Sequence, residues 1–117
     1  MTADWQYLDL GDFLLIAEAV TGVPAEVLAR SERVVSQAGS ALHVPVSGFG
    51  DLEAYPGFAE KTAVLCARII QNHPLPDGNK RVAFMSMVEF IEGNGRELKL
   101  RAPDTAERCT KYSFWVH

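Results

Sequence analysis

Two long apolar helical patterns in this chain are separated by a stretch that can continue neither of them. It reads Asn72-His73-Pro74-Leu75-Pro76-Asp77-Gly78-Asn79-Lys80-Arg81. The prolines on either side of Leu75 lack a backbone N–H and push each preceding residue away from helical geometry. The first helix therefore stops near Asn72, and a second is expected to start at about Asn79, just past Gly78. First-turn N–H groups of a helix have no intrahelical partner, and the helix dipole is positive there. That end is a ready anion site, and Lys80 and Arg81 add two positive charges to it.

At 117 residues the chain is expected to form one domain around a single core. A net charge of −4 argues against a broad nucleic-acid-binding face, so no direct nucleic-acid partner is expected and anion binding must be local. Cys66 and Cys109 are too few for a disulfide framework or a zinc site and fit a reducing compartment. Met1 to Trp5 is not the basic start of a signal peptide, and no apolar run approaches the roughly 18 residues of a membrane helix. A cytoplasmic protein with no membrane partner is expected.

Taken in order, Asp9 caps a first helix to about Thr21, with Leu10, Phe13, Leu14, Ala17 and Val20 on one face. Pro24 suits the first turn of a second helix, Ala25 to about Ala38, made less regular by polar Ser31 to Arg33. Ala41 to Val46 reads as a short extended piece, and Gly48 and Gly50 mark a turn. Pro56 opens the longest helix, to about Asn72, with Glu60 and Lys61 as an exposed corner and little other polar face. The helix from Asn79 to about Glu92 is equally apolar, and Gly93 is placed to stop it as a C-terminal cap. Glu97 to Leu100 reads as a short extended segment, and Asp104 as the cap of a weak last helix. The pattern predicts an all-α domain of about five or six helices, with two central helices joined by the active-site loop.

The loop's side chains carry the chemistry. Histidine titrates near neutrality, which suits a general base, and His73 at a helix end beside prolines is expected to face solvent. Asp77 offers one hard oxygen donor suited to Mg²⁺, and equally suits a turn or a helix cap. Gly78 permits positive φ and close approach of a ligand to the backbone. Asn79 is a helix N-cap, the amide that orders an anion hole, or both. Lys80 and Arg81 would be solvated charges on most helices. At a first turn facing phosphate, arginine adds a bidentate fork and lysine a point charge.

This run resembles the signature of the Fic/Doc family, His-x-Phe-x-Asp/Glu-Gly/Ala-Asn-Gly/Lys-Arg, and most of all its Doc (death-on-curing) toxin branch. Lys80 stands where AMP-transferring members usually carry glycine, and Phe84 where they tend to have a second arginine. Tyr55-Pro56-Gly57-Phe58-Ala59-Glu60-Lys61 is also similar to the Doc branch. The resemblance spans roughly Leu10 to Glu107. It implies a helical fold and transfer of part of a nucleotide to a protein hydroxyl. It makes His73 the base, Asp77 the Mg²⁺ ligand, and Gly78, Asn79, Lys80 and Arg81 the phosphate ligands. The Doc branch further implies a kinase-like reaction in which ATP donates its γ-phosphoryl group to elongation factor Tu and growth stops. A Phd-like antitoxin would be the restraining partner. An AMP transferase is the alternative enzymatic reading, and a catalytically weak antitoxin-binding module the alternative from another class.

Two features depart from the family pattern. Leu75 replaces the usual phenylalanine, which should still anchor the loop in the core with less apolar area. Residues 108–117 lack a sustained apolar face where family members continue with helical turns, so this end of the single domain 1–117 reads as a truncation or a shifted frame. Gly93-Asn94-Gly95-Arg96 copies the end of the AMP-transferring motif, but Val88 occupies the histidine position. No Walker-type G-x-x-x-x-G-K-[ST] occurs, nor the family's self-inhibitory Ser/Thr-x-x-x-Glu-Gly/Asn pattern. Restraint is expected to come from a separate protein.

Overall fold

The computed structural model describes residues 5–49 and 52–97. Asp9 starts α1 (Leu10–Thr21) through a reciprocal capping box. Its carboxylate accepts from the Asp12 N–H at 2.8 Å, and the Asp12 carboxylate accepts from the Asp9 N–H at 3.1 Å. Of the expected face Phe13, Leu14 and Ala17 are buried, while Leu10 and Val20 at its two ends are half-buried.

Beyond Pro24 the structure corrects the sequence reading. The single helix expected from Ala25 to Ala38 is two, α2 (Ala25–Leu28) and α3 (Glu32–His43). Ser31 makes the break: its hydroxyl accepts from the Val34 N–H at 3.3 Å while its own backbone stays extended. The extended piece expected at 41–46 is also helical. Ala41 and Leu42 prolong the buried stripe of Val34 and Ala38, so α3 runs through His43 and tightens into a 3-10 turn, Val44–Val46. A minimal antiparallel hairpin follows, β1 (Gly48–Phe49) with β2 (Leu52–Glu53).

The last two described helices are the central pair, α4 (Phe58–Asn72) and α5 (Asn79–Gly93). They pack on each other more extensively than any other two elements, with α3 against α4 and α1 against α5. The all-α fold with two central helices joined by a loop is therefore what forms.

Within this pair two local expectations change. Glu60 is exposed, but Lys61 is wholly buried, its Nζ donating to the Pro45 carbonyl at 2.9 Å and lying 5.6 Å from the Tyr7 ring centroid. Lys61 precedes Leu65 and Ile69 at helical spacing, which puts it on the buried stripe and not at a corner. Gly93 does not cap α5, which continues through it. The Asn94 side chain does, its Nδ2 donating to the Phe90 carbonyl at 2.7 Å, and Gly95 takes the left-handed turn at φ 71°.

Asn94 also ties down the start of the described chain. The Gln6 N–H donates to its Oδ1 at 2.6 Å, and its Nδ2 donates to the Gln6 carbonyl at 3.0 Å. Beside this latch Phe58 stacks on Phe90 with ring centroids 5.0 Å apart, and Trp5 leans on Phe58 at 4.6 Å. The Arg96 guanidinium covers both Trp5 and Phe58. The expectations for Gly50, the extended segment reaching Leu100, the Asp104 cap and the 108–117 tail concern residues outside the described ones. Among the described residues no helix is long and apolar enough to cross a membrane.

Candidate active site

At its C-terminus α4 turns out of helical geometry on His73, whose backbone is left-handed at φ 49°, ψ 56°. Among the described residues it is the only non-glycine with positive φ. Left-handed backbone is uncommon outside glycine, although histidine is among the residues enriched there. The His73 N–H still reaches the Ile69 carbonyl at 3.1 Å, closing the last turn. Its carbonyl accepts from the Arg33 guanidinium at 3.2 Å, and its side chain is exposed, as the sequence led one to expect.

The chain then dips into the core. Pro74 is buried and Leu75 is only 1% exposed, so leucine does anchor the loop in place of phenylalanine. Asn79 completes the anchor. The Leu75 N–H donates to Asn79 Oδ1 at 2.9 Å, and Asn79 Nδ2 donates to the Leu75 carbonyl at 2.8 Å. Of the two roles left open for Asn79, the structure removes the helix N-cap, and what its amide orders is the loop at Leu75. The N-cap position belongs to Gly78. With both ends of its amide engaged on Leu75, Asn79 has its backbone N–H left to offer an anion.

Gly78 has φ 82° and could not be another residue without rearrangement. A Cβ there would stand 3.2 Å from Thr21 Cγ2 at the end of α1, and 3.5 Å from Arg81 Nη2. The Arg81 guanidinium is thus folded back over the glycine turn. No side-chain acceptor closes the start of α5, nor that of α2 or α4, whereas Asp9 closes α1 and Ser31 closes α3. This leaves the positive end of a central helix open, with exposed Lys80 and Arg81 on its first turn and exposed Asp77 two residues before it.

Since the six predicted site residues nearly adjoin in sequence, their proximity was assured; what the structure adds is direction. Asn79 points inward, while His73, Asp77, Lys80 and Arg81 are exposed around the Gly78 turn. Among the described residues no group of three or more His, Cys, Asp or Glu side chains could hold a metal ion. Asp77 is a single carboxylate donor. Mg²⁺, which commonly takes one or two carboxylates and completes its shell with phosphates and waters, fits that donor set only alongside a bound phosphate.

Arg33, Gln37 and Thr21, which hold the loop from α3 and α1, were not visible as site residues. Gln37 contributes its carbonyl, to which Asn72 Nδ2 donates at 3.1 Å. Nothing in the local pattern marks a residue whose partner lies 35 or 40 positions away. Asn79→Ala is expected to lower unfolding stability by about 2–3 kcal/mol, because two buried backbone groups of Leu75 lose their partners together. Urea unfolding measures this. A change under about 0.5 kcal/mol would mean that Leu75 burial alone holds the loop.

The profile described as the Fic/DOC family matches residues 7–91, a span that takes in α1 through most of α5 and the whole loop. The chain belongs to the Fic/DOC family. It is also 32% identical over 93 residues to Toxin Doc of Mycolicibacterium smegmatis (strain ATCC 700084 / mc(2)155). That alignment covers 80% of this chain and 68% of the relative. No solved structure matches. Family membership thus rests on most of the described fold, well beyond the nine-residue run that first pointed to it.

Proposed function

We propose that this protein is a Doc-like toxin that transfers the γ-phosphoryl group of ATP to a hydroxyl of a target protein, with elongation factor Tu as the first candidate. The family is one of transferases, and the similarity to Toxin Doc supports the toxin role and an antitoxin partner of the Phd type. In this reading residues 1–117 form one domain acting in the cytoplasm. The observation that carries the chemistry is the open start of α5. It combines a glycine turn at φ 82°, an uncapped first turn, two cations and a neighbouring exposed histidine.

Phosphoryl transfer asks a protein mainly for positioning and charge neutralisation. The N–H groups of the first α5 turn, with Lys80 and Arg81, hold the terminal phosphate. Asp77 would hold Mg²⁺, which when bound neutralises phosphate charge. His73 takes the proton from the target hydroxyl as that oxygen forms its bond to the γ-phosphorus. The bond from that phosphorus to the β–γ bridging oxygen breaks, and ADP leaves with the electron pair. Asn79 keeps the loop from shifting while this happens. The γ end is favoured over the α end because half-buried Phe84 stands where AMP-transferring members carry their second arginine. The far end of a triphosphate oriented for AMP transfer would lose a charge-assisted pair there, worth roughly 1.5–3 kcal/mol.

Labelled ATP tests the assignment. With elongation factor Tu and Mg²⁺, label is expected to pass from γ-labelled ATP and none from α-labelled ATP. Asp77→Ala should abolish the Mg²⁺-dependent transfer and leave the helical circular dichroism signal unchanged. Label arriving from the α position would make the protein an AMP transferase. Label from neither would favour a module that only binds its antitoxin.

A further inference from the structure

The strained turn at His73 is held from outside its own helix, and the hold comes from α3. Two hydrogen bonds cross from one element to the other. Asn72 Nδ2 donates to the Gln37 carbonyl at 3.1 Å, and the Arg33 guanidinium donates to the His73 carbonyl at 3.2 Å. Together they grip the last residue of α4 and the residue that ends it. On its other sides His73 is bound through its N–H to Ile69 and followed by buried Pro74. The backbone of an exposed residue is therefore fixed at all its polar atoms. That is more restraint than a loop tip needs for solubility or for turning the chain.

We propose that Arg33 is a positioning residue for His73: by holding its carbonyl in the left-handed turn, it sets the direction in which the imidazole leaves the loop. The proposal rests on reading His73 as the base. The physical link is short. Where the Cβ of a residue points follows from its φ and ψ, and a positive φ at a non-glycine residue persists only where its surroundings over-determine it. A charge-assisted hydrogen bond from a guanidinium is stronger than a neutral one and is reinforced by the negative end of the α4 dipole. Without it, His73 is free to relax toward ordinary backbone geometry. A rotation of about 15° would carry a ring nitrogen by roughly 1 Å, and misplacement on that scale can lower a rate about 100-fold.

A purely structural role is the competing account, since arginine commonly satisfies the last carbonyls of a helix. It would affect unfolding and leave the chemistry alone. The two accounts separate in Arg33→Ala and Arg33→Lys, two variants of an exposed residue that should fold. Hydrogen exchange of the His73 amide in the free protein should accelerate about tenfold in Arg33→Ala, with core amides of α4 unchanged. In γ-label transfer its kcat should fall about 10- to 100-fold while the KM for ATP stays within about threefold. Arg33→Lys keeps one cationic donor and should recover part of both effects. Unchanged exchange at His73, or faster exchange with kcat intact, would overturn the proposal. His73→Ala run in parallel keeps the readings apart. If it transfers label as wild type does, the base assignment falls, while the exchange data still decide whether Arg33 holds that backbone.

Discussion

His73→Ala is expected to lower the rate of γ-phosphoryl transfer by about 10²- to 10⁴-fold, the range by which a positioned general base accelerates a reaction. Its effect on stability should be small, within about 1 kcal/mol, because the side chain is exposed. The backbone strain at φ 49° is the one complication, since alanine accommodates a left-handed turn less readily than histidine does. His73→Asn answers it. Asparagine is also at home in that region but cannot act as a base near neutral pH, so it should retain wild-type stability and show the same loss of rate. Thermal unfolding and label transfer, measured on both variants, separate the two effects. If His73→Asn transfers phosphoryl at the wild-type rate, His73 is an element of the turn and the base must be sought elsewhere.

The turn at His73, whatever its ring does, shows what the sequence could reveal. The loop was legible because its constraints are local. Two prolines, a glycine and an asparagine dictate where one helix stops and the next starts, whatever packs around them. The Asp9 cap is equally local and forms as read, and the structure adds the reciprocal bond from Asp12. Ser31 is local too, but a polar run inside an apolar pattern reads as irregularity, whereas here it caps a new helix. Between Ala41 and Val46, Pro45 and the β-branched valines beside it favour an extended piece. Burial of Ala41 and Leu42 on the stripe already begun by Val34 and Ala38 decided otherwise.

What stayed hidden depends on tertiary placement. The Arg33 grip on His73, the wall of Thr21 beside Gly78 and the Asn94 latch on Gln6 join segments from 40 to 88 positions apart. Asn94 lies in a Gly-Asn-Gly-Arg run that copies a phosphate-binding motif, and reading it as a helix stop was right. The stop works through the asparagine amide and Gly95, not through Gly93. Asn79 and Asn94 thus do the same physical work at opposite ends of α5. Each spends both ends of one amide on the N–H and carbonyl of a single residue elsewhere, Leu75 or Gln6.

Lys61 sets the sharpest test of how the fold supports the site. Lys61→Ala is expected to destabilise the protein by about 3 kcal/mol or more, a large part of the roughly 5–15 kcal/mol that holds a small domain folded. Two losses combine. Removing a wholly buried four-carbon stem leaves a cavity, for which large-to-small core changes give about 2–5 kcal/mol. The buried Pro45 carbonyl also loses the donor at 2.9 Å. Lys61→Met separates volume from polar contacts, because it refills most of the space and withholds every interaction of the ammonium, the bond to Pro45 among them. Its cost should be intermediate, about 1–2 kcal/mol, since a buried ammonium also carries a desolvation penalty that methionine avoids. Urea unfolding of the two variants gives both numbers. Wild-type stability in Lys61→Met would mean that the ammonium makes no net contribution and that Lys61 serves as packing alone. Pro45 sits on the 3-10 turn that leads from α3, the helix carrying Arg33, and that turn packs on α4. If the hydrogen bond does hold it there, loosening Lys61 should also slacken the α3–α4 seam. Hydrogen exchange at the His73 amide would then rise in Lys61→Met even where the protein stays folded.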